Sequence, residues 1–177
     1  DLFGNAAGYA TIQVSVEGAT SERINIVMEE SAPIGSGPLG QIVLDLDTAS
    51  GDQASRINQS LTGGDEVIVD VVVTEELTAG MSGFEFVLLF DSGVLDFSGF
   101  NVMEVFAGAA PIVSTNEDTV TVSSVLLGSE ATQPSGTIGQ ATFIVREDAA
   151  RDATIALQRA QLGGPDGRLQ LTLGSGG

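Results

Sequence analysis

DEVIVDVVVTEELTAGMSGFEFVLLFDSGVLDFSGF, residues 65–100, holds two strong strands and the corner between them. Glu66–Val73 is a nearly continuous β-branched run, too short for a membrane span and too β-branched for a comfortable helix. Strand side chains alternate, so Val67, Val69, Val71 and Val73 share one face. Glu75–Ser82 breaks the pattern with two acids and Gly80. Phe84, Phe86, Leu88 and Phe90 then form the apolar face of a second strand. Asp91-Ser92-Gly93 is a turn signal, because Asp bonds its own backbone and Gly accepts positive φ. Extended structure resumes at Val94–Phe97.

Working outward toward the C-terminus, Asn101–Asp118 reads as irregular, with Met103, Val105 and Phe106 tucked beneath it. Thr119–Leu127 is a strand, Gly128–Gly136 a turn region, and Thr137–Val145 a strand with Ala141, Phe143 and Val145 on one face. Glu147–Asp152 is a charged turn, and Ala153–Arg159 and Arg168–Leu173 close the sheet. Toward the N-terminus, Thr48–Gly64 reads as a long polar loop and Gln41–Asp47 as a strand with Ile42, Leu44 and Leu46 inward. Ser31–Gly40 carries two Pro and three Gly and reads as a linker. Before it, Tyr9–Glu17 and Glu22–Glu30 alternate as half-buried strands, after a Gly-rich arm at Asp1–Gly8. The expectation is an all-β chain: an antiparallel β-sandwich over residues 41–177, with an N-terminal extension over residues 1–40.

Composition excludes several functions. The chain has 177 residues, 24 acids and only six basic residues, for a net charge of −18. Nucleic acid and anionic lipid are polyanions and do not suit such a surface. No apolar stretch is long enough for a transmembrane helix, so no membrane insertion is expected. The chain opens at Asp1 without a basic leader, and it is acidic and rich in Gly, Ser, Thr and Val. That favours a mature extracellular or cell-surface chain whose signal has been removed. There is no Cys, so neither disulfides nor thiolate metal sites are available.

The central stretch resembles the cohesin family. The resemblance rests on Gly64-Asp65, Val67–Val73, Gly83-Phe84, Phe90-Asp91 and Leu95, and at the end on Ala153–Leu162, Gly163-Gly164, Arg168–Leu173 and Gly174. It covers residues 40–175 and implies a jelly-roll-like sandwich. In that family the dockerin-binding surface is one sheet face whose residues vary, so no dockerin site carries over residue by residue.

Catalysis finds little support. Without His, Lys or Cys there is no imidazole, amine or thiol to act as base or nucleophile. A glycosidase-type carboxylate pair is formally open, but 24 acids make some close pair inevitable. Sugar sites lean on aromatic faces, and this chain has no Trp and only Tyr9. Asp45, Asp47 and Asp52 offer oxygens to Ca²⁺ but miss the EF-hand spacing. Asp45 and Asp47 read more simply as outward residues of a strand, with Asp52 in a turn. No cofactor is expected. Asn58-Gln59-Ser60 is an N-glycosylation triplet in the polar loop.

The expected function is therefore a non-catalytic extracellular assembly module. The first reading is the subunit of a filament or surface layer, a homopolymer joined by addition of the N-terminal strand to a neighbour's sheet. Its expected interface residues are Tyr9, Ala10, Ile12, Val14 and Val16; an internal hairpin with Glu22–Glu30 is the competing arrangement. The alternative is an adaptor that binds a dockerin-type or other extracellular protein domain.

Overall fold

The computed structural model describes residues 11–16 and 40–173. Two sheets face each other. The larger takes β1 (Thr11–Val16), β3 (Ile57–Leu61), β5 (Gly83–Phe90), β7 (Ala110–Asn116), β8 (Thr119–Val125), β10 (Ala153–Gly164) and β11 (Gly167–Gln170). Its order is β3-β1-β10-β5-β8-β7, with β11 folded back on the far half of β10. The smaller takes β2 (Ile42–Asp45), β4 (Glu66–Val73), β6 (Leu95–Val102) and β9 (Gly136–Val145), in the order β2-β4-β9-β6. Pairing is antiparallel throughout except β1 with β3 and a single parallel bridge from Ile42 to Leu173. One short 3-10 turn, Glu104–Phe106, is the sole helical element among the described residues.

The period-2 pattern does what it implied. Val67, Val69, Val71 and Val73 are buried and meet Phe84, Phe86, Leu88 and Phe90 across the sandwich. Phe86 is fully buried, stacked on Phe84 at 5.8 Å between centroids and edge-on to Phe100 at 5.3 Å. Phe143 from β9 packs between Phe90 and Phe97, at 5.3 and 5.5 Å. Such pairs add about 0.5–1.5 kcal/mol each beyond area burial.

Three readings need correction. Residues 48–64 are not all loop, because β3 lies within them. Asn58 therefore sits half-buried on a strand, not in a polar loop. Asn101–Asp118 is likewise not all irregular: β7 forms a hairpin with β8. Finally, Asp45 points away from the core, as its parity requires, yet it is completely buried. Val43 and Asp45 lie on the outer side of β2, beside Val72 and Asp70 of β4. Hydrogen bonds from the returning backbone at Asp47, Gln53 and Ser55 close over the Asp45 carboxylate. Residues 1–10, 17–39 and 174–177 lie outside the described residues, and with them Tyr9, Ala10 and the expected strand at Glu22–Glu30.

Candidate protein-docking surface

The outer face of the large sheet is built from the residues between the core phenylalanines. On β5 these are Glu85, Val87 and Leu89; on β8 they are Thr119, Thr121, Ser123 and Val125. Arg159 on β10 donates to Glu85 at 2.8 Å, and Gln161 donates to the same carboxylate at 3.0 Å. A shallow open depression beside this cluster is lined by Val87, Thr119, Thr121, Gln158, Arg159 and Gln170. Toward β7 the face changes character. Ile112 is 71% exposed, and Val125 stands diagonally across from it on the same side. Leu127, just past β8, is 89% exposed. Together with Val113 and Ile57 these are the exposed large apolar side chains among the described residues.

Charge sharpens the contrast. In a chain carrying −18, residues 105–116 hold no ionisable side chain, and neither do residues 119–129. Only the hairpin tip, Glu117-Asp118, is acidic, and Glu117 takes the left-handed φ of 42° that closes the two-residue turn. Every residue of β7 is exposed, so this strand overhangs the smaller sheet. Its free edge is blunted. Phe90 N–H donates to the Asp118 carbonyl and Leu126 N–H to the Ser82 carbonyl, so Val120, Val122 and Ser124 bond toward β5. Their neighbours bond toward β7, which leaves the backbone of Pro111, Val113 and Thr115 facing outward. Pro111 has no N–H to give there, a common protection of an edge strand. The sheet face is thus a better docking surface than its edge.

The acidic residues weighed as calcium ligands form a different arrangement. Asp45 accepts from the backbone N–H of Asp47 at 2.9 Å, of Ser55 at 3.2 Å, and of Gln53. Arg56 lies 3.6 Å from Asp45 and donates to Asp52 at 2.7 Å, so an internal cation sits beside both carboxylates. Among the described residues no group of three acids is placed to hold a metal ion. Burial pushes the Asp45 carboxyl up, against the pull of the Asp47 and Gln53 amides. Burial also raises Asp70, opposed by a hydrogen bond from Gln140 and reinforced by the Asp45 charge. This cluster fastens the 46–56 segment to the sheet.

Of the expected interface residues, Ile12, Val14 and Val16 lie on β1, which here pairs within its own chain. Ile12 is in register with Ile155, Val14 with Ala153 on β10, and Val16 with Leu61 on β3.

Comparison with known proteins fits this architecture. No curated protein matches the sequence. Solved structures that share the fold include the sixth cohesin of Acetivibrio cellulolyticus scaffoldin B, in complex with a Cel5 dockerin mutant (14% identity, 76% of this chain and 92% of that one, TM-score 0.55), the cohesin module of a Clostridium perfringens family 33 glycoside hydrolase (10%, 77% and 90%, 0.56), and the OlpA cohesin of Clostridium thermocellum in a type I cohesin–dockerin complex (16%, 76% and 93%, 0.53). The model of the cohesin domain matches residues 58–173, about two thirds of the sequence, and the chain belongs to the cohesin family.

Proposed function

We propose that this chain is a non-catalytic, extracellular binding module that docks a second protein domain, of dockerin type, on the outer face of β10, β5, β8 and β7. The observation that carries the reading is the coincidence of Ile112, Val125 and Leu127, all exposed, with the uncharged β7–β8 hairpin of a strongly acidic chain. Exposed apolar groups rimmed by polar side chains are the usual mark of a protein interface. Two of the cohesins that share the fold are bound to dockerins. The lack of His, Lys and Cys, and an open depression in place of a closed cleft, favour binding over turnover. The test is calorimetric titration with a panel of dockerin modules, using the parent chain, Ile112→Asp and Leu127→Asp. Saturable binding to the parent that is lost in both variants, with unchanged melting, is expected. Silence across the panel excludes the dockerin class, and binding that survives both substitutions excludes this face.

Self-association into a homopolymer is the second reading. One observation favours it: Thr11–Val16 is an interior strand of its sheet, yet it is far from the rest of the domain in sequence.

A further inference from the structure

β1 is separated in sequence from the other described strands, yet it is interior to its sheet. It lies between β10, which it pairs antiparallel, and β3, which it pairs parallel. Among the described residues β3 has no other neighbour in the sheet. Without β1, two strand edges would stand about 9.6 Å apart, twice the usual spacing. Their N–H and C=O groups would be unpaired. Leu61, Ala153 and Ile155, all buried, would also lose cover along that gap. The slot therefore requires a strand. It does not require a strand from the same chain. Residues 17–39 separate β1 from Gly40, and a segment of that length spans up to about 75–80 Å when extended.

We infer that the slot between β3 and β10 accepts Thr11–Val16 of a second copy, so that copies join by strand exchange. This rests on the self-association reading and is independent of the outer-face docking site. The three strands concerned are TIQVSV, INQSL and, at the near end of β10, ATIAL, none of which carries a charge. Two acidic chains thus meet through a neutral seam, where backbone pairing is short-ranged and repulsion is screened within about 8 Å at physiological salt. The exchanged contacts are the same as the internal ones, so the choice between them is set by concentration. A tethered strand competes at an effective concentration of order mM. Exchange is favoured when chains are crowded; where each copy gives its strand to one neighbour and receives a strand from another, the copies join head to tail in an open chain, whereas reciprocal exchange between two copies closes as a dimer.

The absence of cysteine makes a direct test clean. Gln13 is in register with Thr154, which is exposed. A Gln13→Cys chain, isotopically labelled, is refolded at about 1 mM and high salt with an unlabelled Thr154→Cys chain, then oxidised. A labelled-to-unlabelled disulfide between positions 13 and 154 is expected, rising with concentration, and the double variant should yield a ladder of linked chains. If the double variant gives only internally closed monomers and the mixed chains give no linked pair, the inference is overturned. It is equally overturned if no 13–154 disulfide forms in either experiment, since the slot then holds another strand. Sedimentation of the parent chain separates the two ideas. Oligomers without the linked pair retain self-association and remove exchange, whereas monomers at every concentration remove both.

Discussion

Asp45 and Asp70 sit directly opposite each other on neighbouring strands β2 and β4, both buried. Like charges opposite each other in a sheet destabilise it. The two carboxylates are treated differently. Asp45 has three backbone donors and Arg56 beside it. Asp70 has Gln140 and Thr137, and its Oδ1 has no hydrogen-bond partner. One acid fastens a loop, and the other bears the cost of sitting next to it.

The pH dependence follows from Asp70. Its folded pKa lies above the unfolded 3.8, so the native chain binds more protons than the unfolded one across that interval. Stability from this group then rises as pH falls through the raised value, and the ionised form is a net cost at neutral pH. Asp70→Asn keeps the shape and removes the charge. Its Tm at neutral pH is expected to rise by about 2–4 °C, the shift that about 1 kcal/mol produces in a chain this size. The gain should vanish below the unfolded pKa. Scanning calorimetry against pH checks it, and a lower Tm at neutral pH would show that the carboxylate makes a contact it needs.

Asp45→Ala should act in the opposite direction. It removes the acceptor of three backbone N–H groups and leaves Arg56, whose Nη1 is buried and makes no hydrogen bond, with Asp52 alone. Breaking a buried pair on one side costs about 3–5 kcal/mol. Denaturant unfolding measures the loss, and hydrogen exchange should place the extra opening in residues 46–56.

Phe86→Ala removes a fully buried ring from the centre of the aromatic cluster. The expected cost is about 3–5 kcal/mol by denaturant unfolding. A change below about 1 kcal/mol would contradict the packing described.

Gly139→Ala tests a close approach. A Cβ there would stand 1.9 Å from Phe100 Cζ and 2.8 Å from the Asn101 carbonyl oxygen. Because the Phe100 ring is itself wedged against Phe84 and Phe86, it has little room to retreat. Overpacking of this kind costs about 1–3 kcal/mol. Thermal melting reads it, and Gly139→Ala combined with Phe100→Leu should recover part of the loss.

Local sequence determined much of the sandwich. Residues 66–73 and 83–90 place an unbroken apolar set on the core face and are tied to neighbours on both edges, so the core positions survive in the bare sequence. The same holds for Ala141, Phe143 and Val145. The family resemblance rested in part on the strands at 66–73 and 83–90, which the cohesin model also covers. Strands β3 and β7 were illegible for the converse reason. INQSL is mostly polar, and APIVSTN is exposed at every residue, so neither needs an apolar period. Only pairing with β1 and β8 makes them strands. The burial of Asp45 was hidden likewise, because parity tells which way a side chain points and not what folds over it. Exposure of Ile112 and Leu127 is also a property of the assembled sheets: an apolar residue is written identically whether the chain covers it or leaves it for a partner. Alternation is a contract between a residue and its nearest neighbours along the strand, whereas cover, edge and docking face depend on segments tens of residues away.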